Sequence, residues 1–286
     1  MKKYKQLTEQ EAQVILHQGT ERPFTGEYED FDEPGVYVCR QCQAPLYQAT
    51  TKFASRCGWP SFDAEIPGMV LRREDVDGRR TEIICANCNG HLGHVFSGEG
   101  YTAKNTRHCV NSISLQFVNE AEFTARYATA VFASGCYWGT EYWFRKAPGV
   151  YATTVGYAGG QVPAPSYRAV CTGTTGHAES VRVYYDPTET SYEELVKLFF
   201  ETHDPTQIDG QGPDRGTQYR SVIFYHSHQE QEIAQKYRDI LQNQGVSVVT
   251  AIEPLAVFYA EQDVHHHHYY EKNQSIPYCH FYQKKF

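Results

Sequence analysis

A two-domain chain is predicted: a mainly β N-terminal part built of antiparallel sheets, then an α+β C-terminal part with a mixed sheet and flanking helices. Three observations predict it. The 286 residues exceed the roughly 100–200 of one ordinary domain. From about residue 20 to 118, short apolar runs lie between Gly, Asp, Asn and Pro clusters, the pattern of strands and turns. From 129 onward, strand-like runs alternate with amphipathic stretches that carry helix-start signals. The boundaries fall at 1–118, a connector at 119–128, and 129–286.

Thr8 with Glu11 three residues on is a capping-box pattern, so 8–18 is read as a helix stopped by Gly19. The runs 35–38, 81–84 and 112–118 are read as strands. Residues 119–128 are polar but not Gly/Ser-rich, which suits a short, semi-ordered link rather than a long tether. Ala130–Ala133 is a buried-strand candidate leading to Gly135 and Cys136, and a helix follows through Lys146 to Pro148 and Gly149. Strands are expected at 179–185, 220–225 and 246–256. Helices are expected at 191–202, where Ser191 and Glu194 form a cap, and at 229–243, ended by Gly245.

The formal net charge is −8, and neither half is basic, so a duplex nucleic acid lacks its electrostatic footprint. No run of 18 apolar residues is present, which gives no membrane span. Met1, Lys2 and Lys3 have no apolar stretch behind them, so a cytoplasmic protein is expected. The nine cysteines are too few and odd in number for a disulfide scaffold. Metal ligands and reactive thiols are the better reading.

Cys39-x-x-Cys42 and Cys85-x-x-Cys88 are two pairs whose spacing lets four thiolates close a tetrahedral shell around Zn²⁺ at about 2.3 Å. A closed shell has no open position, so a structural role is expected, with one zinc stapling the first domain. Arg107 stands beside Cys109, and a nearby cation favours the nucleophilic thiolate. His91 and His94 are groups that protonate a leaving oxygen near neutral pH.

The motifs Gly19-Thr-Glu-Arg-Pro-Phe24, the paired C-x-x-C, Cys57-Gly-Trp59-Pro-Ser-Phe62, His91-Leu-Gly-His94-Val-Phe96 and Arg107-x-Cys109-x-Asn111-Ser112 resemble the B-type methionine sulfoxide reductases over about residues 4–118. The resemblance implies Cys109 as nucleophile, Cys57 as resolving thiol and Trp59 as a wall for the substrate methyl. It implies His91, His94, Arg107 and Asn111 as polar groups around the sulfoxide. His108 departs from the family, which more often has Tyr or Phe there.

In the second half, Cys136 opens a predicted helix, whose positive end lowers a thiol pKa. Gly135-Cys-Tyr-Trp-Gly139, Tyr167, Thr175-Gly-His-Ala-Glu179 and Gln211-Gly-Pro-Asp214-Arg-Gly-Thr-Gln-Tyr219-Arg-Ser221 resemble the A-type methionine sulfoxide reductases over about 128–281. The resemblance implies Cys136 as nucleophile and Glu179 as proton donor to the sulfoxide oxygen. Tyr167 and Tyr219 would hydrogen-bond that oxygen, and Asp214 would support the site. Tyr137 and Trp138 would hold the methyl, and Cys279 would be the resolving thiol. Tyr269 is carried as a pocket-lining residue, although His265–His268 make its segment longer than the family's. That histidine run is read as solvated rather than metal-binding, and Cys171 as a small packed residue.

Methionine oxidation creates a chiral sulfur, and each epimer needs its own reductase. The expected function is therefore reduction of free or protein-bound methionine sulfoxide, the R epimer in the first domain and the S epimer in the second. Sulfenic acid and disulfide intermediates are expected, with thioredoxin as recycling partner and no organic cofactor. A zinc-dependent binding module and a thiol-based peroxide sensor are the competing classes, separable by sulfoxide turnover.

Overall fold

The computed structural model describes residues 4–75, 78–261, 263 and 265–286. The chain divides into two compact units, Met1–Arg126 and Tyr127–Phe286. The first holds α1 (Glu9–Ile15), β1 (Gly35–Cys39), β2 (Pro45–Gln48), β3 (Lys52–Phe53), β4 (Ser61–Phe62), β5 (Val70–Glu74), β6 (Thr81–Cys85), β7 (His91–Ser97), β8 (Thr106–Val110), β9 (Leu115–Asn119) and α2 (Glu120–Arg126). Its strands form a sheet of order β2-β1-β9 and another of order β3-β4-β8-β7-β6-β5, with antiparallel pairs throughout.

The Thr8 capping box forms as its residues dictate: Thr8 Oγ1 accepts from Glu11 N at 3.3 Å, and Glu11 Oε2 accepts from Thr8 N at 2.8 Å. The helix ends sooner than expected, at Ile15, and Gln18 rather than Gly19 takes the left-handed turn, at φ 58°. Residues 112–114 form a 3₁₀ turn before β9. The segment expected as a connector is helical: Asn119 Oδ1 accepts from Glu122 N at 2.9 Å, and Arg126 pairs with Glu122 one turn back. Tyr37, Tyr47 and Phe62 fill the core, Tyr47 stacking on Phe62 at 4.3 Å between centroids.

The second unit holds β10 (Ala128–Ser134), α3 (Tyr137–Phe144), β11 (Val150–Ala158), α4 (Tyr167–Cys171), β12 (Ala178–Tyr185), α5 (Tyr192–Thr202), β13 (Gly210–Gln211), β14 (Asp214–Arg215), β15 (Ser221–Tyr225), α6 (His228–Asn243), β16 (Ala251–Pro254), β17 (Phe258–Ala260) and α7 (Tyr269–Lys272). The main sheet runs β16-β15-β10-β12-β11-β17. Its pairs are antiparallel except β15–β16, which α6 connects in the parallel sense.

Two differences from the sequence reading have physical causes. β11 is buried on both faces, so it lacks the alternation that marks a half-exposed strand. The stretch expected as strand 246–256 pairs only over Ala251–Pro254, because Val246 and Val249 donate instead to Leu241 and Pro205. Phe132 of β10 stacks on Phe144 of α3 at 4.7 Å and on Phe199 of α5 at 5.5 Å, which locks the two helices to the sheet. Each such buried ring contributes about 1.5–3 kcal/mol.

Candidate active sites

The two C-x-x-C turns are built alike. Cys39 N donates to Ala44 O and Gln43 N to Cys39 O; Cys85 N donates to Gly90 O and Asn89 N to Cys85 O. Gln43 and Asn89 each take a left-handed φ, at 63° and 61°. All four sulfurs lie within 4.8 Å of one another, with Cys39–Cys88 at 3.6 Å and Cys42–Cys85 at 3.5 Å. A tetrahedral zinc with bonds of about 2.3 Å needs sulfurs about 3.8 Å apart, so the cluster is compatible with a structural zinc. Against its burial, the Cys42 thiol is held well down by its sulfur neighbours, while hydrogen bonding to Cys42 keeps the Cys39 thiol well up. β1 and β6 belong to different sheets, so this cluster ties the two sheets together.

Strand register assembles the first thiol site. Ser61 of β4, Cys109 of β8, His94 of β7 and Glu82 of β6 are directly paired neighbours in one row, so their side chains share a face. Gly93 allows this close approach: a Cβ there would lie 2.0 Å from the Cys109 carbonyl oxygen. The loop before β4 brings Cys57 Sγ to 3.7 Å from Cys109 Sγ. Ser55 Oγ donates to Cys57 at 3.0 Å, and Arg107 Nη1 reaches Cys57 at 3.4 Å while forming a two-pronged pair with Glu99. Arg107 thus faces both sulfurs: it acts on Cys109, as expected, and also reaches Cys57. The two thiols share a proton. Cys57 is brought down to about 4, chiefly because the Cys109 S–H donates to it, and Cys109 is pushed up by that same bond.

His91 Nδ1 lies 2.6 Å from Glu82, which leaves its buried Nε2 without a hydrogen-bond partner. His94 Nε2 lies 2.8 Å from Asp75, and the two imidazoles are 5.6 Å apart. A bulge at Ile83/Ile84 lets residues three apart on one strand meet in this way. Trp59 Nε1 donates to Glu21 O at 3.1 Å. Asn111 Oδ1 accepts from Glu21 N and Nδ2 donates to Leu92 O, so its amide ties the backbone around the site. His108 is fully buried and hydrogen-bonds Tyr47 and Arg72.

In the second unit Cys136 is the N-cap of α3. The first helical N–H, from Tyr137, donates to Glu179 Oε2 at 3.1 Å. Glu179 is almost wholly enclosed, and burial pushes its carboxyl up to about 8. It therefore holds a proton at neutral pH beside the thiol. Burial, followed by Glu179, also pushes the Cys136 thiol well up, so the helix end does not leave it acidic as expected. Burial keeps the Tyr167 and Tyr219 hydroxyls protonated, and both are thus hydrogen-bond donors. Tyr137 and Trp138 open α3, and Tyr269 stacks on Trp138 at 3.8 Å and 6°. Asp214 accepts from Tyr278 at 3.1 Å. Cys279 is buried beside Gly212 and His280.

Some participants escape the sequence reading. Ser55, Asp75, Glu82 and Glu99 lie outside the quoted motifs, and Ser61, though inside one, is given no role there. The His265–His268 run is not simply solvated. His266 packs against Tyr167, Trp138 and Tyr137; His267 bonds Glu261 O; His268 contacts Arg145 and Glu141. Cys171 is exposed rather than packed. A cavity of about 630 Å³ lined by Trp143, Lys146, Leu198, Tyr282 and Phe286 contains none of these candidate residues. Among the described residues, no helix is long and apolar enough to cross a membrane.

Residues 128–286 match the peptide methionine sulfoxide reductase family, and residues 7–119 match the SelR domain. The peptide methionine sulfoxide reductase MsrA of Nautilia profundicola is 49% identical over 150 residues, covering 52% of this chain and 86% of the relative. Peptide methionine sulfoxide reductase B3 of Arabidopsis thaliana is 55% identical over 116 residues, covering 40% and 66%. The crystal structure of reduced Mxr1 from Saccharomyces cerevisiae aligns with a TM-score of 0.52 at 37% identity, over 56% of this chain and 93% of that one.

Proposed function

The chain belongs to the peptide methionine sulfoxide reductases, a SelR (B-type) domain at 7–119 preceding an A-type domain at 128–286, and on that premise we propose that two separate thiol sites divide the two sulfoxide epimers. The chain is a bifunctional oxidoreductase. In the proposed cycle, Cys109 reduces the R epimer and Cys136 the S epimer. The thiolate attacks the sulfoxide sulfur while an acid protonates the oxygen, giving methionine and a cysteine sulfenic acid. Cys57 or Cys279 then displaces the hydroxyl as water and closes a disulfide. A low-potential dithiol protein of the thioredoxin kind reduces it, and a cytoplasmic site of action suits that reductant.

The observation that carries this reading is the 3.7 Å contact between Cys57 and Cys109, where one proton move leaves either sulfur nucleophilic. His94, directly across from Cys109, is the proton donor proposed there, and His91, whose Nδ1 is taken by Glu82, is a polar neighbour that would help position the sulfoxide. Glu179 is the donor in the second site. Trp59 in the first site, and Tyr137, Trp138 and Tyr269 in the second, would each hold the methyl of that site's own substrate. Tyr167 and Tyr219 would bind the oxygen, with Asp214 supporting them. Cys39, Cys42, Cys85 and Cys88 would hold a structural zinc that takes no part in the reaction.

The test is consumption of each separated epimer by the wild type, Cys109→Ser and Cys136→Ser. Loss of only the R activity in the first variant and only the S activity in the second is expected. A folded variant that loses both equally would require a shared site instead.

A second expectation concerns the resolving thiols. Cys57→Ser and Cys279→Ser should each release one methionine per site and then stall under thioredoxin. Methionine counted per enzyme without reductant gives the first quantity, and coupled turnover gives the second. Sustained rapid cycling in Cys57→Ser would point to direct reduction of the sulfenic acid.

A further inference from the structure

The geometry points to His280 as the group that takes the Cys279 proton when that sulfur attacks the Cys136 sulfenic acid. This rests on the reading of Cys279 as the resolving thiol of the second site.

The ring has one possible protonation when neutral. His280 Nε2 lies 2.8 Å from the Ser134 carbonyl oxygen, which can only accept, so Nε2 carries the hydrogen. Nδ1 is then a bare lone pair, and Cys279 Sγ lies 3.1 Å from it. Burial keeps the imidazole neutral, lowering its pKa to about 4. The ring therefore stands as an acceptor throughout the neutral range. It shares the proton while the S–S bond forms rather than carrying it between turnovers.

The placement is enforced from α3, the helix that Cys136 caps. A Cβ on Gly139 would lie 2.2 Å from His280 Nδ1, so only glycine lets the ring lie against that first turn. Trp143 Nε1 donates to His280 O at 3.4 Å, and Gln211 Nε2 donates to Cys279 O at 2.9 Å. Both tail residues are thus pinned by their backbones.

The chemistry needs such an acceptor. Burial, then Asp214, and also Glu179 push the Cys279 thiol up to about 12. At neutral pH only about one molecule in 10⁵ would hold a free thiolate. Asp214 is the other acceptor facing this sulfur, but Tyr278 already donates to both its oxygens at 3.1 Å. His203, which interacts electrostatically with His280, is buried and neutral. In the step itself the Cys279 S–H proton moves to Nδ1 as Sγ bonds the Cys136 sulfur. The S–O bond breaks, and the departing hydroxide regains a proton and leaves as water. The Cys136 sulfur is reduced and the Cys279 sulfur oxidised, with no outside reductant.

The test follows reduced full-length enzyme mixed with the S epimer and no reductant, measuring methionine and the disulfide separately. His280→Gln retains a donor for the Ser134 carbonyl and removes the base; His280→Asn is the second variant should the first fold poorly. The burst of methionine should persist. Disulfide formation should slow about 10²-fold or more, and its rate should rise tenfold per pH unit between 6 and 8, where the wild type is flat. Wild-type disulfide rates, a parallel loss of the methionine burst, or transfer of that pH slope to Asp214→Asn would each overturn the inference. Cys279→Ser separates the two readings: a disulfide still formed in that variant overturns the resolving assignment itself, and this inference with it.

Discussion

Removing the metal from the four-cysteine cluster is expected to unfold the first unit and leave the second folded. The cluster joins the end of β1, in the three-stranded sheet, to the end of β6, in the six-stranded sheet. Without a cation, four sulfurs within 4.8 Å of one another must be protonated or repel. Structural zinc contributes an apparent 10–16 kcal/mol of binding free energy in small domains, which equals or exceeds the ordinary 5–15 kcal/mol stability of a whole domain. The loss is local, because all four ligands lie in Met1–Arg126. Elemental analysis should find one zinc per chain. Calorimetry with a chelator should remove one of two transitions, and R-epimer turnover should vanish while S-epimer turnover remains. A metal-free chain that keeps both transitions would refute the staple.

Glu179→Gln is expected to slow S-epimer reduction by about 10²–10⁴, or about 3–5 kcal/mol of barrier, the usual contribution of one general acid. Glutamine keeps the shape and still accepts from Tyr137 N, so the loss reports the proton and not the packing. The Tyr167 and Tyr219 hydroxyls, proposed to donate hydrogen bonds to the same oxygen, would limit the damage. The pH dependence has a definite sign. Burial pushes the Glu179 carboxyl up to about 8, so methionine formation should be sustained below that pH and fall as the carboxyl ionises above it. The variant should lose this fall. R-epimer turnover should not change, because the proton donor proposed for it is a histidine of the other unit. Stopped-time assays on each epimer from pH 6 to 10 measure both effects, and an unchanged S-epimer rate in the variant would remove Glu179 from the mechanism.

What could be read in advance follows the range of each interaction. The zinc cluster is legible because each C-x-x-C turn is local, and the Thr8 and Ser191 caps are legible because they act over three residues. Asn119 and Glu122 carried the same kind of signal for α2, masked by their place in a polar stretch. The meeting of Cys57 with Cys109 depends on the register of β4 against β8 and on the loop before β4, and no local spacing encodes it. His91 and His94 would fall on opposite faces of a regular strand; a bulge reunites them. The family resemblance points to the thiols proposed as catalytic but not to their hydrogen-bonding neighbours, such as Ser55, Glu82 and His280, since those depend on packing.

The buried Glu179 also has a consequence for the fold that carries it. Its carboxyl keeps a proton up to about 8 in the folded chain but only to the ordinary 4.5 when unfolded. Between those values the native state binds one more proton than the unfolded state, so proton linkage makes stability fall with rising pH. The favourable contribution is complete below about 4.5 and gone once pH passes about 8, a change on the order of 5 kcal/mol. The feature that would equip the second unit as an acid thus makes its fold alkali-sensitive, and under basic conditions ionisation of this one carboxyl should erode the proposed chemistry and the stability together.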